Sequence, residues 1–390
     1  MKAIELNTNE LKQLIRFTIS NNKFLQDNNK KSISLNVVGE AGIGKTASVM
    51  QVAEELKLDC VKLSLSQYDE LGELVGYPVK EFEIQKDGEI KWIPESLFDM
   101  YLKDGYKPTG EKRMDHALPD WIQGKKENGI LFLDDFSRCN PLFMQAIMEL
   151  IHEQTYASWK LPKGWTIILS SNPEGGDYFV SSMDDAMKTR FINVNLKFDV
   201  KNWAEWAEHD MIDTRCINFA LLHPEIFTTK TNARSLTNFY NAISSVNNFE
   251  DSLPLIKIIG EGSIGPEATT LFTIFISQKL DKLISPDQII YEDNWESVRR
   301  SLISCVGKGD SKRMDISSLL ATRIENYLIH VVSKKAVSED IIKRVKEILK
   351  DEEIFTNDLK YKMTKNIING DRIKFQKLLM DSEIMKITVK

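Results

Sequence analysis

Apolar residues in this chain cluster in five short runs, which are separated by longer helical or irregular stretches. Runs of this length are typical of buried strands, and strands that alternate with helices indicate a parallel sheet covered on both faces. The runs are Ile33–Val38, Val61–Leu65, Ile130–Leu133, Thr166–Ser170 and Phe191–Leu196. We therefore predict an α/β protein in which a five-stranded parallel sheet is sandwiched between helices.

Helical spacing dominates both ends of the chain. Asn7 or Thr8 precedes apolar residues at helical spacing, which predicts a capped helix before the first strand. After Phe198 no strand-like run with turn signals follows, and the segment that begins at Trp203 is predicted to be helical. Near the end, Ser338 precedes an apolar stripe that predicts an amphipathic helix with a buried face, formed by Ile341, Ile342, Val345, Ile348 and Leu349.

A long segment, residues 67–128, has no sustained helical or strand period and contains Pro78, Pro94, Pro108 and Pro119. We predict that it is largely irregular. Loops of this length inside a compact domain usually have a function.

A glycine-rich loop joins the first predicted strand to a predicted helix that begins at Ala47. It fits the phosphate-binding pattern G-x-x-x-x-G-K-[ST] in the strand, loop, helix order that this pattern needs. Its residues are Gly39, Glu40, Ala41, Gly42, Ile43, Gly44, Lys45 and Thr46. Residues without Cβ let backbone N–H groups approach a polyphosphate, while Lys45 would bind the β- and γ-phosphates and Thr46 would bind Mg²⁺. The alternative is a glycine-rich turn with no ligand, but the complete pattern in this context favours ATP binding.

Two acids follow the third predicted strand, and hydrolysis requires such groups in addition to a phosphate-binding loop. Asp134 would hold Mg²⁺ through its water shell, and Asp135 would activate the attacking water. Exposed acids at a strand end often serve only to cap it. The presence of the glycine-rich loop favours the catalytic interpretation.

Three further polar residues suit the same chemistry. Asn172 follows the fourth strand, where its amide would contact the attacking water or the γ-phosphate; an Asn-Pro turn is the alternative. Arg190 precedes the fifth strand and Arg234 begins a later helix. The arginine guanidinium makes two directed hydrogen bonds to phosphate and keeps its charge, although surface salt bridges would explain either arginine taken singly.

Composition narrows the function further. The chain has 390 residues, of which 42% are hydrophobic and 28% charged, as in ordinary soluble proteins of two or three domains. We see no apolar run near the length of a membrane span and no secretory leader, so a cytoplasmic protein is expected. The net charge of −6 gives no general attraction to nucleic acid. The four cysteines form no C-x-x-C pair and the histidines are scattered, which argues against disulfides and zinc.

Taken together, these motifs resemble the AAA+ ATPases, specifically the MoxR-like and dynein-related branch of bacteria and phages. The resemblance covers roughly residues 5 to 245. Beyond the loop and the acid pair, it depends on motifs that are typical of this branch: Leu161-Pro162-x-Gly164-Trp165, Asn172-Pro173, Thr189-Arg190-Phe191, Trp203-x-x-Trp206-Ala207 and Ala233-Arg234-Ser235.

The resemblance implies a strand order of 5-1-4-3-2 and three domains: a nucleotide-binding domain at 1–198, a helical lid at 199–248 and a C-terminal helical domain at 249–390. By family roles Asn172 looks like sensor 1, Arg234 like sensor 2 and Arg190 like an arginine finger that acts on a neighbouring subunit. Arg138 looks like a second interface arginine. A homo-oligomeric ring, usually hexameric, and a protein substrate are implied, and relatives commonly act with a partner that carries a von Willebrand A domain.

The chain departs from the family pattern at two places. The usual Walker-B glutamate is Asp135, one methylene shorter, and a shorter reach to the attacking water can slow hydrolysis. Family members tolerate aspartate at this place, so the site is not expected to be inactive. Arg234 lacks the preceding proline of its relatives. Two loops fall where the class contacts substrate, Leu74–Pro78 and the hairpin-like stretch Phe82–Trp92, although packing of their aromatic residues onto the sheet explains them equally well.

Two alternatives to an ATP-driven remodelling machine are compatible with the sequence. One is a nucleotide-gated switch or scaffold that hydrolyses ATP weakly. The other is a nucleic-acid motor or loader of the same superfamily, against which the acidic net charge counts.

Overall fold

The computed structural model describes residues 4–173, 183, 185–228, 231–332 and 337–388. It divides into two compact units, Met1–Phe198 and Asp199–Lys390. The first unit contains all the strands of the described residues, and the second contains helices. The predicted division of the helical part into a lid and a C-terminal domain at residue 248 stays a prediction.

The strands of the described residues fall into three sheets. They are β1 (Ile4–Leu6), β2 (Ser34–Val38), β3 (Asp59–Ser64), β4 (Pro78–Lys86), β5 (Glu89–Pro94), β6 (Lys107–His116), β7 (Gly129–Asp134), β8 (Thr155–Tyr156), β9 (Trp159–Lys160), β10 (Trp165–Ser171) and β11 (Phe191–Leu196).

The α-helices of the described residues are divided between the two units. The first unit contains α1 (Thr8–Asp27), α2 (Lys45–Glu55), α3 (Leu71–Val75), α4 (Phe98–Lys103), α5 (Pro141–Glu153) and α6 (Asp185–Lys188). The second contains α7 (Val200–His209), α8 (Thr214–Leu222), α9 (Ala233–Ile243), α10 (Leu253–Ser263), α11 (Gly265–Ser277), α12 (Pro286–Tyr291), α13 (Trp295–Val306), α14 (Met314–Tyr327), α15 (Glu339–Lys350), α16 (Asn357–Gly370), α17 (Arg372–Leu379) and α18 (Ser382–Thr388). A π-helical turn, Leu328–Val332, follows α14.

The central sheet has the order β1-β11-β2-β10-β7-β3, and every neighbouring pair is parallel. The five predicted strands are β2, β3, β7, β10 and β11, so the predicted order 5-1-4-3-2 and the α/β sandwich are confirmed. The sequence prediction missed β1, which pairs with β11 at the edge of the sheet. Its three residues are too few to show a strand period, and Ile4 is exposed.

Helices cover both faces of this sheet because neighbouring residues of a strand point to opposite faces. In β7, Leu131 and Leu133 join a core formed with α5, whereas Ile130 and Phe132 join a core formed with α1 and α2. All six residues of β7 are buried. Burial of each large apolar side chain contributes about 1.5–3 kcal/mol, so the continuous apolar run fixes this strand in the middle layer.

The prediction of a largely irregular segment at 67–128 is wrong. It contains α3, α4 and an antiparallel sheet of order β5-β4-β6. The hairpin expected at Phe82–Trp92 is confirmed as β4 and β5, which are joined through Asp87 and Gly88, both with positive φ. Strand β6 escaped detection because its residues are nearly all exposed and it lacks an alternating apolar face.

The loop Leu74–Pro78 does not present all of its residues to solvent. Leu74 and Val75 belong to the core, whereas Tyr77 is exposed. The expectation that Leu74 and Val75 contact a substrate is therefore wrong.

The regular secondary structure in the described residues of the second unit is all helical, as predicted. Ser338 caps α15, where its hydroxyl accepts a hydrogen bond from the N–H of Ile341, and the predicted apolar stripe is buried. The helices of the described residues include none that is long and apolar enough to cross a membrane.

A buried ion pair holds α14 against α7 and α8. The Arg323 guanidinium, 1% exposed, donates to the Glu208 carboxylate, to the Asn218 side-chain oxygen at 2.5 Å and to the Thr214 carbonyl at 3.0 Å. Burial raises the pKa of the Glu208 carboxyl above its ordinary value, and the charge of Arg323 opposes that rise. Removal of one partner from such a pair leaves an uncompensated buried charge.

We expect Arg323→Met to destabilise the second unit by about 3–5 kcal/mol at neutral pH. Without Arg323, the buried Glu208 carboxyl is more stable protonated than ionised. The loss of stability therefore grows as the pH rises and this carboxyl ionises, and it should be larger at about pH 8 than at about pH 5. Thermal unfolding of the full chain at both pH values measures it. The double variant with Glu208→Gln serves as control and should recover part of the loss, while an equal loss at both pH values would contradict this account.

Candidate nucleotide-binding site

The glycine-rich loop, the acid pair and Asn172 lie at one edge of the central sheet. The glycine-rich loop follows β2, the acid pair ends β7, and Asn172 follows β10, which lies between β2 and β7. All three strands are parallel, so their carboxyl ends open at the same edge, where open α/β sheets bind their ligands.

The glycine-rich loop takes a conformation that depends on its glycines. Gly42 and Gly44 have φ of 77° and 99°, in the left-handed region that disfavours other residues. A Cβ on Gly39 would lie 2.7 Å from Cδ1 of Ile43. Helix α2 begins at Lys45, and Gly44 before it has no side chain to cap the first N–H groups. These donors therefore face the loop, where they suit an anion.

The Lys45 amine lies in the middle of the site. It donates to the carbonyl oxygens of Gly39 at 2.5 Å and Glu40 at 2.9 Å, and to the side-chain oxygen of Asn172 at 3.2 Å. Lys45 is 8% exposed. A nearly buried ammonium at the centre of the loop is placed where it can donate charge-assisted hydrogen bonds to a phosphate.

The Asp134 carboxylate joins four segments of the first unit. Its Oδ2 accepts from the Thr46 hydroxyl at 3.1 Å and lies 3.0 Å from the Lys62 amine, while its Oδ1 accepts from the Ser170 hydroxyl at 2.5 Å. Burial acts to raise the pKa of this carboxyl, but the hydrogen bonds from Ser170 and Lys62 and the charge of Lys62 hold the pKa below its usual value. The group is therefore an ionised carboxylate.

Asp135 has a left-handed backbone, with φ of 55° and ψ of 36°. Aspartate tolerates this region better than most residues do. Its N–H donates to the Ser170 hydroxyl at 3.1 Å, and its Oδ1 lies 3.5 Å from Nδ2 of Asn172. The side chain is half-buried. A solvent-accessible carboxylate beside an amide is suited to orient a water molecule.

A hydrogen bond from its backbone N–H holds Asn172 in place. It is 4% exposed, and its N–H donates to the Ser137 hydroxyl at 2.9 Å. Its side chain therefore touches Lys45 on one side and Asp135 on the other. These contacts go beyond what the alternative of a simple Asn-Pro turn requires.

The three predicted arginines lie at the surface of the units that contain them. Arg138 and Arg190 are exposed residues of the first unit, and Arg234 is an exposed residue at the start of α9 in the second. None of the three guanidinium groups has a side-chain hydrogen bond or ion pair to another described residue, in contrast with Arg16, Arg113, Arg215, Arg299, Arg313, Arg323 and Arg344. The salt-bridge alternative therefore finds no support in the described part of the chain.

Sequence reasoning missed several residues of the site. Ser170 contacts both acids, and Ser137 contacts Asn172. The available signal was that Ser137 lies two residues after Asp135 and Ser170 two residues before Asn172. The sequence signal for Lys62 was weaker. Lys62 is a single lysine in a strand, between the buried residues Val61 and Leu63.

A line of buried and half-buried polar side chains also runs from the site toward α6. The Ser171 hydroxyl donates to Asn36 at 2.8 Å, the Asn36 amide donates to Asn193 at 2.9 Å, and the Asn193 amide donates to the Lys188 carbonyl at 3.0 Å. Asn36 is fully buried. The line connects the end of β10, next to Asn172, to the end of the helix that precedes Arg190.

The donor set fits Mg²⁺, which prefers oxygen ligands and keeps several waters. Thr46 offers a hydroxyl and Asp134 a carboxylate, 3.1 Å apart. In the described part of the chain, no three or more His, Cys, Asp and Glu side chains come together as a metal site, so the protein ligands at this position are few. A metal held by few protein oxygens and by phosphates is the arrangement usual for Mg²⁺ in ATPases.

Comparisons with known proteins add little to this picture. No protein-family model matches the chain. No curated protein matches its sequence.

Solved structures with a similar fold include the RuvB Holliday junction branch migration motor of Thermotoga maritima, with a TM-score of 0.32 and 12% identity over 85% of this chain and 78% of that one. They also include a putative ATPase from Cytophaga hutchinsonii, with a TM-score of 0.31 and 12% identity over 93% of this chain and 88% of that one. With TM-scores and identity this low, these likenesses carry no functional assignment.

Proposed function

We propose that this chain is an ATP-binding and ATP-hydrolysing AAA+ protein that works as a ring and remodels a protein partner. One observation carries the proposal. The Lys45 amine contacts Asn172 at 3.2 Å while the adjacent Thr46 hydroxyl contacts Asp134 at 3.1 Å, so residues from three distant segments form one cluster. ATP hydrolysis needs a phosphate cradle, a metal ligand and a water-orienting group together.

Each residue has a role that its contacts support. The N–H groups of the glycine-rich loop and of the first turn of α2 would surround the phosphates, and the Lys45 amine would leave the Gly39 and Glu40 carbonyls for the β- and γ-phosphates. Thr46 and Asp134 would hold Mg²⁺, which supplies positive charge that stabilises the transferring phosphoryl group. The Asp135 carboxylate would accept a proton from the attacking water, which the Asn172 amide helps to orient.

The arginines support a site completed by a second copy of the chain. Arg190 and Arg138 are exposed and have no side-chain partner among the described residues, so each is free to bind a phosphate that another subunit presents. Arg234, in the second unit, is proposed to bind the nucleotide as sensor 2. A closed ring, hexameric by resemblance, lets every subunit give and receive such an arginine.

A protein is the favoured substrate. The net charge of −6 gives no general attraction to nucleic acid. The sheet of β4, β5 and β6 projects mostly exposed residues, and Tyr77 beside it is exposed. This sheet is the candidate surface for contact with the substrate, whereas a partner with a von Willebrand A domain is proposed from the resemblance alone.

Lys45→Ala should reduce ATP affinity on the order of a hundredfold or more, because two charge-assisted hydrogen bonds to phosphate would be lost. Titration of a fluorescent ATP analogue measures the affinity. Lys197→Ala is the matched control, since Lys197 lies at the surface of the same unit and pairs with Glu5. If Lys45→Ala binds the analogue as tightly as the wild type does, the proposed site is wrong.

Arg190→Ala should leave ATP binding unchanged and stop hydrolysis. If Arg190 acts on the neighbouring subunit, a mixture of Arg190→Ala with Asp135→Asn should regain activity, because some interfaces then combine an intact Asp135 with an intact Arg190. Phosphate release by each variant and by the mixture measures this. Arg372→Ala, which removes another exposed arginine, should be active. A mixture as inactive as its components would exclude action between subunits.

The short side chain of Asp135 supports a second candidate function, a nucleotide-gated switch or scaffold. Its carboxylate is one methylene shorter than that of glutamate, and its distance of 3.5 Å to Asn172 is at the limit of a hydrogen bond. In such a protein ATP would hold the assembly together, and hydrolysis would be slow.

Asp135→Glu separates the two functions. In the remodelling machine we expect no gain in turnover, because glutamate at this left-handed position costs about 1 kcal/mol and displaces a working carboxylate. A gain of about tenfold or more would favour the switch, in which the shorter side chain limits hydrolysis. Asp135→Asn is the control, because it keeps a residue that tolerates this backbone but cannot accept the proton. Phosphate release under saturating ATP is the measurement.

A further inference from the structure

The Lys62 amine pairs with the same Asp134 oxygen that Thr46, the other proposed Mg²⁺ ligand, contacts. The Lys62 amine lies 3.0 Å from Oδ2 of Asp134, and the Thr46 hydroxyl lies 3.1 Å from the same oxygen. The other oxygen, Oδ1, is taken by Ser170. The protein's own cation and the hydroxyl of the phosphate-binding loop therefore share one carboxylate oxygen.

The position of Lys62 follows from the strand register. Strand β3 is the edge strand beside β7, with Lys62 opposite Phe132 and Ser64 opposite Asp134. Lys62 thus starts two residues before the level of the acid, and its four-carbon side chain spans this offset to reach the carboxyl end of the sheet. Its side chain is 39% exposed, whereas that of Asp134 is 12% exposed. The amine can leave for solvent at little cost, while the carboxylate cannot.

Lys62 and a magnesium ion compete for the same carboxylate. Thr46 and Asp134 would hold Mg²⁺, and the Lys62 ammonium pairs with the same carboxylate oxygen that Thr46 contacts. Two cations that share one carboxylate repel each other, and because the Asp134 side chain is only 12% exposed, water screens this repulsion less than it would at the open surface. The arrival of the metal therefore requires Lys62 to move away.

We propose that Lys62 is a resident competitor of Mg²⁺, a cation that neutralises Asp134 when no metal is bound and that must be displaced when Mg²⁺ enters with the nucleotide. This inference rests on the proposed ATP site. Its consequence is a lowered affinity for the metal, and a movement of the Lys62 side chain on the edge strand each time the metal enters or leaves.

The neutral variant Lys62→Met keeps the aliphatic length and removes the competing charge. We expect it to bind the metal about fivefold more tightly, the equivalent of a partly exposed ion pair. Lys62→Arg keeps the charge and should bind the metal as the wild type does. Lys125→Met is the matched control, because Lys125 pairs with Asp59 at 3.0 Å at the opposite end of β3.

Two measurements on the full chain test the proposal. The first is the ratio of the dissociation constants of a fluorescent ATP analogue in EDTA and in Mg²⁺, which should be about fivefold larger for Lys62→Met than for the wild type. The second is the affinity for Mn²⁺ alone, measured by electron paramagnetic resonance without nucleotide, which should rise by a similar factor. Lys62→Gln provides a second neutral variant should Lys62→Met fail to fold.

The outcomes separate this inference from the proposed function. If the neutral variants leave both quantities unchanged, or weaken metal binding, Lys62 is not a competitor and the inference is wrong. If the wild type binds no ATP analogue, the proposed function fails, and the Mn²⁺ measurement still decides whether Lys62 competes for Asp134.

Discussion

The ionised carboxylate of Asp134 is the constraint on which the architecture of the first unit depends. A buried carboxylate is costly unless hydrogen bonds and a positive charge compensate for lost water. Here the compensation comes from Thr46 after β2, Ser170 in β10 and Lys62 in β3. These partners come together only when β10 lies between β2 and β7 and β3 lies on the far side of β7. The strand order therefore brings together the groups that stabilise the Asp134 carboxylate, and the contacts of this carboxylate help to hold those strands in place.

Most of this framework was predictable from local sequence. A run of buried apolar residues fixes each of the five strands, and the glycine-rich loop fixes the helix that follows the first of them. The strand order came from the resemblance to a family, because hydrophobic periodicity does not say which buried strands are neighbours. Elsewhere the prediction failed because the local sequence signal is weak. Strand β1 has three residues, and β6 is held by its pairing with β4 rather than by a buried face of its own.

The site could be predicted less completely than the fold. Lys45, Thr46, Asp134 and Asn172 belong to sequence motifs, and the structure brings them into contact. Lys62 has no motif, because it reaches Asp134 only through the register of β3 against β7. The left-handed backbone of Asp135 was also invisible in the sequence. This backbone conformation gives a reason for aspartate at position 135 that does not involve the length of its side chain. A glutamate would reach further, but it would make the left-handed conformation less stable.

The polar line through Asn36 joins two parts of the proposed site that would serve different subunits. Asn172 lies next to Ser171, at the start of the line, and Arg190 lies two residues after Lys188, at its end. Asn36 is fully buried in the middle of β2, so each of its hydrogen bonds is costly to break. A displacement of the end of β10 by the γ-phosphate would then either move the end of α6 with it or leave a buried amide unpaired. The first alternative costs less, so this line would give the proposed site a physical link between Asn172 and the helix that precedes Arg190.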